Sequence, residues 1–153
     1  MRSGSGGFTI VSLLVVLAVC LTGLAVARPM WSQQVKRERE QELLRVGALY
    51  ARAIASYRNA SPGSLKQNPP TLQALLVDTR FIGLRRHLRT LYPDPIDPRQ
   101  PWGLVLDADQ RVAGVYSQSA EAPVAEAAVD LGDIALAPAR HYADWRFTLK
   151  ATP

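Results

Sequence analysis

The sequence predicts an α+β fold, in which one long N-terminal helix packs its second half on a small antiparallel β-sheet. Three observations support this fold: an uncharged apolar run at residues 8–27, apolar residues at helical spacing between residues 33 and 58, and strand-like alternation after residue 102. The chain has 153 residues, which is room for one small domain and an anchor but not for two domains.

The apolar run is the most distinctive feature of the chain. Phe8 to Ala27 contains 20 residues and no charged side chain. As a helix this run would be about 30 Å long, enough to cross the hydrocarbon core of a bilayer. Lipid offers no hydrogen-bonding partner to the backbone, so the helix is the expected conformation there. We therefore expect the first half of the long helix to be transmembrane.

Three fates are open to such a segment. A secretory signal peptide could be cut after Ala25-Val26-Ala27. Lipidation at Cys20 is disfavoured because Val19, a branched residue, stands where a small one is expected. The third fate is cleavage before the apolar run, between Gly7 and Phe8, which the short, polar, glycine-rich start MRSGSGG favours. A glycine has no Cβ, so it lets an extended chain approach a protease closely.

The Gly7-Phe8 junction, followed by TIVSLLVVLA, resembles the leader of type IV prepilins. In that family a membrane peptidase cuts between glycine and phenylalanine, and the new N-terminal phenylalanine is N-methylated. The resemblance implies a pilin-like fold and a division of the chain into four parts. These are a leader (residues 1–7), a transmembrane and assembly helix (8–28), the periplasmic half of the long helix (29–60) and a globular domain (61–153).

Two positions in the helix bear on assembly. Pilins usually carry a glutamate at the fifth mature position, where it is thought to meet the N-terminal amine of a neighbouring subunit, but this chain has Ser12 there. A subunit with Ser12 would sit at a tip, incorporate differently or rely on packing. Pro29 lies where pilins commonly have a helix-bending proline; the alternative is that it begins a new helix at the first position.

Beyond Pro29 the sequence predicts a helix from Gln33 to about Arg58. Its segment from Lys36 to Glu42 is polar on all sides, which favours a solvated neck with a Lys36–Glu40 pair. An apolar stripe follows at spacings of three and four and predicts the face that packs on the sheet. Its members are Leu43, Val46, Tyr50, Ala53 or Ile54, and Tyr57.

Shorter elements follow a breaker cluster at residues 59–70. We expect two short helices, one from Leu72 to about Val77 capped by Thr71 and one from Leu84 to Leu91. A β-hairpin, a loop and a final half-buried strand should complete the domain. The hairpin strands are Trp102–Leu106 and Val112–Ser117, the loop covers residues 120–138, and the final strand alternates through Trp145, Phe147 and Leu149.

The formal charge of +5 is concentrated partly in Arg85, Arg86 and Arg89, which should share one side of the second short helix. Guanidinium groups bind phosphates and carboxylates through a planar fork, so these arginines are candidates for a partner or anion surface. A solvated helix face is the alternative. Nucleic acid is not expected, because the aromatic or glycine-rich companions of nucleic-acid modules are absent from the sequence. His87 is expected to pack or face water.

The blocks RRHLRTLYPDP, PWGLVLD, VAGVYS and YADWRF are similar to a subgroup of type II secretion pseudopilins. The major pseudopilin of these systems binds calcium in its C-terminal region, which makes four aspartates weak calcium candidates. They lack the spacing of a recognised calcium loop, so turn formation is favoured and no cofactor is expected. These residues are Asp94, Asp97, Asp107 and Asp109.

No catalytic motif is present in the sequence, so a structural and not an enzymatic role is expected. The resemblance implies a pseudopilin of a type II secretion or type IV pilus-like filament that supports protein secretion. Its partners would be prepilin peptidase, other pseudopilin subunits, the inner-membrane assembly platform and membrane lipid. The alternatives are a periplasmic binding or accessory protein, held by a signal anchor or cut from its signal peptide, and a DNA-binding minor pilin.

The expected location is the bacterial inner membrane, crossed once, with the C-terminal domain in the periplasm. A simple count of positive residues disagrees with this orientation. Arg28, Lys36, Arg37 and Arg39 follow the apolar run, whereas Arg2 alone precedes it. We give more weight to the leader.

Overall fold

The computed structural model describes the backbone of residues 6–150 and the side chains of residues 10–19 and 32–150. The chain divides into two compact units, Met1–Glu38 and Arg39–Pro153. Its elements are one long helix, two short 3-10 helices and four strands, so the fold is α+β as the sequence predicts.

Helix α1 runs from Gly6 to Asn59, 54 residues without interruption. The Gly7-Phe8 junction therefore has helical backbone, and Pro29 does not begin a new helix, so that alternative is wrong. The side chains of Gly7, Phe8, Cys20 and Pro29 lie outside the described residues. Within the described residues, no helix is long and apolar enough to span a membrane.

The second unit buries the predicted apolar stripe of α1. Leu43, Val46 and Tyr50 are at most 1% exposed, and Ile54 and Tyr57 are at most 5% exposed. Burial of each such side chain contributes about 1.5–3 kcal/mol to folding, before the entropy cost of ordering it. Ala51 and Ala53 are also buried on this face. The sequence left open whether Ala53 or Ile54 belongs to the stripe, and both are part of the core. The helical spacing predicted this face correctly.

The predicted hairpin is confirmed. Strand β1 (Gly103–Leu106) pairs antiparallel with β2 (Val112–Tyr116), with an irregularity between Val105 and Leu106. Asp107 closes the turn, since its Oδ1 accepts hydrogen bonds from the backbone N–H groups of Asp109 and Arg111, each at 2.9 Å. Aspartate side chains commonly support turns in this way.

The region expected to be a loop, residues 120–138, contains a second small sheet. Strand β3 (Val129–Asp130) pairs antiparallel with β4 (Ala135–Leu136), and the intervening turn uses Gly132 at φ +87°. Two-residue strands are too short to show an alternating pattern, so these strands could not be predicted from the sequence. The described part of the chain therefore has two separate two-stranded sheets instead of one sheet.

The final strand is reduced to a single bridge between Val115 and Phe147. The predicted alternation is correct from Trp145 to Phe147, which are buried on either side of the exposed Arg146, but it ends there, because Thr148 and Leu149 are both half-buried. A 3-10 helix, Tyr142–Asp144, precedes this segment, and its C-cap Trp145 is already in an extended conformation. Only a short stretch of backbone is thus left to pair with β2.

The short helix predicted after Thr71 is a 3-10 helix, Leu72–Leu75, and Thr71 makes no side-chain capping bond. The helix predicted from Leu84 to Leu91 is wrong. Its N–H groups bond outside the segment, since His87 N and Leu88 N both donate to the carbonyl of Leu75, at 2.8 and 2.9 Å. Leu88 is buried, but Leu84 is 68% exposed, so leucine spacing here reflects a loop with one anchored residue.

The segment from Lys36 to Glu42 was predicted to be solvated on all sides. This prediction is wrong for Glu40, which is only 7% exposed. Its carboxylate accepts hydrogen bonds from Val124 N at 2.5 Å, Ala125 N at 3.1 Å and the Tyr142 hydroxyl at 2.9 Å. Burial, and then the hydrogen bond to Glu40, raise the pKa of Tyr142 well above its usual range. Glu40 therefore ties α1 to the segment that leads to the C-terminus.

We expect Glu40→Ala to lower the free energy of unfolding by about 2–4 kcal/mol, because two backbone N–H groups and one hydroxyl lose their buried acceptor. Glu42→Ala is the matched control. Glu42 pairs with Arg45 at the surface, where both side chains are about half exposed, so its loss should cost under about 1 kcal/mol. Urea unfolding followed by tryptophan fluorescence measures both; equal costs would contradict the anchoring role.

Gly47 lets a loop approach α1 closely. A Cβ at this position would lie 2.5 Å from the ring of Phe147, and that ring is fully buried. Phe147 therefore bridges to β2 through its backbone, while its ring packs directly on the helix at Gly47. A glycine in a helix costs about 1 kcal/mol relative to alanine, and the close packing of Phe147 offsets that cost here.

Gly47→Ala should therefore destabilise the domain by about 1–3 kcal/mol, despite alanine's higher helix propensity, because Phe147 would be displaced. Gln41→Ala, at an exposed position of the same helix, should change stability by less than about 0.5 kcal/mol. Thermal unfolding of the two variants compares them directly. A more stable G47A variant would show that the Phe147 contact is not tight.

Candidate interaction surface: the arginine loop

The three candidate arginines lie on one loop, which we call the arginine loop and define as residues 79–90. Its start and its end are fixed by the same buried carboxylate. Asp78 accepts from Arg80 through N, Nε and Nη2, at 3.1, 2.8 and 2.7 Å, and its Oδ2 lies 3.2 Å from His87 Nε2. The Asp78 side chain is 0% exposed. Asp78 thus closes the loop across nine residues.

Arg80 connects this carboxylate to helix α1. Its guanidinium donates to the Ser61 hydroxyl and to the Tyr57 carbonyl, both at 2.8 Å, and lies 3.5 Å from the centre of the Tyr57 ring. These are the contacts of a structural arginine, with its donors used and its face stacked. Arg80 therefore does not add an available charge to the predicted basic cluster.

The side chain of His87 is packed inside the domain, which is one of the two arrangements expected from the sequence, the other being exposure to water. Its side chain is 2% exposed, its ring meets Tyr57 edge to face at 5.5 Å, and its Nδ1 lies 2.8 Å from Ser56 Oγ. Ser56, His87 and Asp78 thus form a hydrogen-bonded chain. Ser56 is inside α1, where backbone N–H groups bond to carbonyls one turn earlier and cannot form an oxyanion hole. This geometry favours a role in holding the loop.

The tip of the loop projects into solvent. Gly83 has φ +108°, a conformation that favours glycine, and its neighbours Ile82 and Leu84 are 110% and 68% exposed. Arg85 lies over the Phe81 ring, with Cζ 4.6 Å from its centre. The tip therefore presents apolar side chains and a stacked guanidinium together.

The cluster of Arg85, Arg86 and Arg89 is exposed in the structure, but on a loop and not on a helix face. No acidic residue occurs between Thr79 and Pro93. Asp78, the acidic residue that immediately precedes this stretch, is buried and paired with Arg80. The three charges are therefore not neutralised by acidic neighbours in their own segment, and the loop can attract an anionic partner.

Three of the four calcium candidates accept hydrogen bonds from nearby backbone N–H groups. Asp94 is 0% exposed and accepts from Ser117 Oγ at 2.5 Å and Ile96 N at 2.9 Å. Asp97 accepts from Arg99 N at 3.2 Å, and Asp107 accepts from Asp109 N at 2.9 Å in the hairpin turn. Within the described residues, no group of three or more possible metal ligands comes together. Asp94, Asp97 and Asp107 each accept a hydrogen bond from the backbone N–H two residues later, as turn-forming aspartates do.

An apolar groove of about 660 Å³ lies beside the aromatic pair of Tyr50 and Trp102, whose ring centres are 5.4 Å apart. The Tyr92 carbonyl accepts from the Tyr50 hydroxyl at 3.0 Å and from Trp102 Nε1 at 2.8 Å, which fixes the groove wall. Four prolines also line the groove: Pro70, Pro93, Pro98 and Pro101. Sequence reasoning identified the stiff loop but not the groove, because Tyr50 is 42 residues away from Tyr92.

No family model, curated protein or solved structure matches this chain. What the arginine loop can bind therefore follows from the chemistry of its own residues. Sequence reasoning found the exposed arginines but missed Asp78 and Glu40, the two buried carboxylates that position loops on α1. The burial of Asp78 had a possible signal in the sequence. An acidic residue directly follows the apolar stretch Leu75-Leu76-Val77 and stands two positions before Arg80.

The Asp78 network should make stability depend on pH in the acid range. Hydrogen bonds from Arg80 hold the pKa of Asp78 well below its usual range, with a smaller contribution from His87. A carboxylate with a lowered folded-state pKa stabilises the fold above its unfolded pKa of about 4, and this stability is lost as the pH falls toward the folded value.

We expect Asp78→Asn to cost about 2–4 kcal/mol at pH 7 and to flatten the decline of stability between about pH 4 and pH 2. Asp133→Asn is the control, because Asp133 forms an exposed pair with Arg52 and should matter by less than about 1 kcal/mol. Urea unfolding at a series of pH values tests this. An unchanged acid slope in D78N would show that Asp78 is not the group responsible.

Proposed function

We propose that this chain is a structural subunit, a pseudopilin, of a type II secretion or type IV pilus-like filament that supports protein secretion. The observation that carries the proposal is the difference between two segments of helix α1. Its residues 43–57 supply the core of a small α+β domain, whereas the apolar side chains from Ile10 to Val19 are 54–67% exposed. A run of exposed apolar side chains requires cover by lipid or by other subunits.

In this proposal, residues 1–7 are the leader removed by prepilin peptidase, and Phe8 becomes the N-methylated first residue. Residues 8–28 lie in the bacterial inner membrane before assembly, with the C-terminal domain in the periplasm. The assembly platform then transfers them into a bundle of identical helices. Lipid tails are as apolar as the helices, so this transfer gains little hydrophobic free energy and depends on helix packing.

Ser12 distinguishes this proposed subunit from the usual pattern. A charged residue within a membrane segment is expensive and normally functional, and a serine cannot replace a glutamate in an ion pair with an amine. We propose that incorporation depends on helix packing in place of that pair. Neither an enzymatic activity nor a cofactor forms part of the proposal.

The competing function is a periplasmic binding or accessory protein, and the apolar groove beside Tyr50 and Trp102 is the observation that favours it. Small-molecule sites are typically concave and mostly apolar, and the volume of about 660 Å³ is within their usual range. In that case, the apolar run would be a signal anchor or a signal peptide cut after Ala27.

Mass spectrometry of the N-terminus separates these functions. We expect the mature chain to begin at a methylated Phe8, and Gly7→Val to block processing, because a branched side chain at the cut would hinder the peptidase. Gly4→Val, three residues earlier in the leader, should be processed normally. A mature chain that begins at Arg28, or an uncut chain with residues 1–7 retained, would overturn the pilin proposal.

A further inference from the structure

A groove with basic side chains runs along the final two turns of helix α1. Two concavities of about 490 Å³ each adjoin there, because Ala55, Asn59 and Leu149 line both of them. We call the two concavities together the basic groove. Its floor is one face of the helix, since the members follow one another at spacings of three and four. They are Arg52, Ala55, Ser56 and Asn59.

The lining of the basic groove carries positive charge that the domain does not neutralise. Among the described residues, no acidic side chain lines the groove, and two of its basic side chains have partners, since Arg52 pairs with Asp133 and Lys150 pairs with Asp130. The other two are exposed, and no carboxylate of the described residues pairs with them. These two are Arg58 and Arg85.

The two unpaired guanidinium groups lie in different parts of the groove. Arg58 lines only the first concavity, whereas Arg85 lines only the second. A single small anion would therefore meet one arginine at a time, while a ligand with two separated carboxylates can meet both. A guanidinium binds a carboxylate through two parallel N–H groups, which makes such a pair both stronger and more directional than a contact with lysine.

Both walls of the basic groove are held in place before any ligand arrives. On one side the arginine loop is fixed to the floor, since Ser56 Oγ lies 2.8 Å from His87 Nδ1. On the other side Lys150 N donates to the Asp133 carbonyl at 2.9 Å, and the Asp133 carboxylate accepts from Arg52 at 2.8 and 2.9 Å. A preformed groove loses little conformational entropy when a ligand binds.

The length and the lining of the basic groove favour an extended polypeptide. From Arg52 to Asn59 the helix rises about 10 Å, which is the length of about three residues of extended chain. Among the described residues no aromatic side chain lines the groove, so it offers nucleic-acid bases no ring on which to stack. Ala55 leaves room for a backbone, and the Asn59 amide can both donate a hydrogen bond to a peptide group and accept one from it.

We propose that the basic groove binds a short, extended, acidic segment of a partner protein, with one carboxylate on Arg58 and a second on Arg85. The proposal goes beyond the filament function. Every residue that lines the groove lies within the unit Arg39–Pro153, so the site does not depend on how the N-terminal segment is processed.

The test measures peptide binding to the full chain in a neutral detergent by fluorescence anisotropy. The probe is a short peptide of alternating glutamate and alanine, with blocked ends and an uncharged fluorophore. The control peptide has glutamine in place of every glutamate. At an ionic strength of about 0.15 M, we expect the glutamate peptide to bind at least about ten-fold more tightly, because only a carboxylate forms a charge-assisted pair with a guanidinium.

Charge variants decide whether the groove is responsible. Arg58→Gln and Arg85→Gln should each weaken binding of the glutamate peptide by about three- to ten-fold, since each removes the partner of one carboxylate. Arg86→Gln is the matched control, because Arg86 is exposed on the same loop but does not line the groove. Its effect should be under about two-fold, because salt screens charges that lie more than about 8 Å from the ligand. Thermal unfolding checks that each variant is folded.

Several outcomes would overturn the proposal. One is the absence of binding by the glutamate peptide, and another is equal binding of the two peptides. Equal weakening by Arg86→Gln and Arg85→Gln would show that general charge attraction is responsible and not the groove. Displacement of the peptide by inorganic phosphate at a comparable concentration would indicate separate small-anion sites, and tighter binding of single-stranded DNA would assign the groove to nucleic acid. None of these outcomes bears on the mass of the N-terminus, which decides the filament proposal separately.

Discussion

The second unit depends on one face of helix α1, the stripe from Leu43 to Tyr57. Every other described part of the domain is irregular or short: strands of two to five residues, 3-10 helices and proline-stiffened loops. Such elements cannot bury enough apolar surface by themselves, so each is held by a side chain that reaches the helix. Phe147 packs on Gly47, Trp102 on Tyr50 and Tyr142 on Glu40. The helix is the rigid support on which the loops are arranged.

Two buried carboxylates fix the positions of loops on the apolar face of α1. An apolar stripe is non-directional and does not fix where a loop crosses it. Glu40 receives the backbone of Val124 and Ala125, and Asp78 receives Arg80 and His87, so each fixes the position of one loop. Buried carboxylates need several donors to offset their desolvation, and both have them. The hydrogen bonds that offset the desolvation of these carboxylates also hold each loop in one position.

The same network separates arginines that maintain the fold from arginines that are available to a partner. Arg80 uses its donors on Asp78, Ser61 and Tyr57, while Arg85, Arg86 and Arg89 extend into solvent. A rigid base with a projecting tip is a common arrangement for recognition loops, because the scaffold holds the contact residues in place. In the proposed subunit, the exposed apolar residues between Ile10 and Val19 are assigned to assembly.

The sequence by itself determined the elements whose pattern is periodic: helix α1, its buried face, the β1–β2 hairpin and the alternation through Trp145 and Phe147. Only the tertiary structure decided the rest. Leu84 to Leu91 has helical spacing but forms a loop, since its backbone bonds to Leu75, and Glu40 lies in a polar run but is buried by segments more than 80 residues away. Local pattern fixes hydrogen bonds within a segment, whereas these outcomes depend on donors and acceptors that folding brings from elsewhere in the chain.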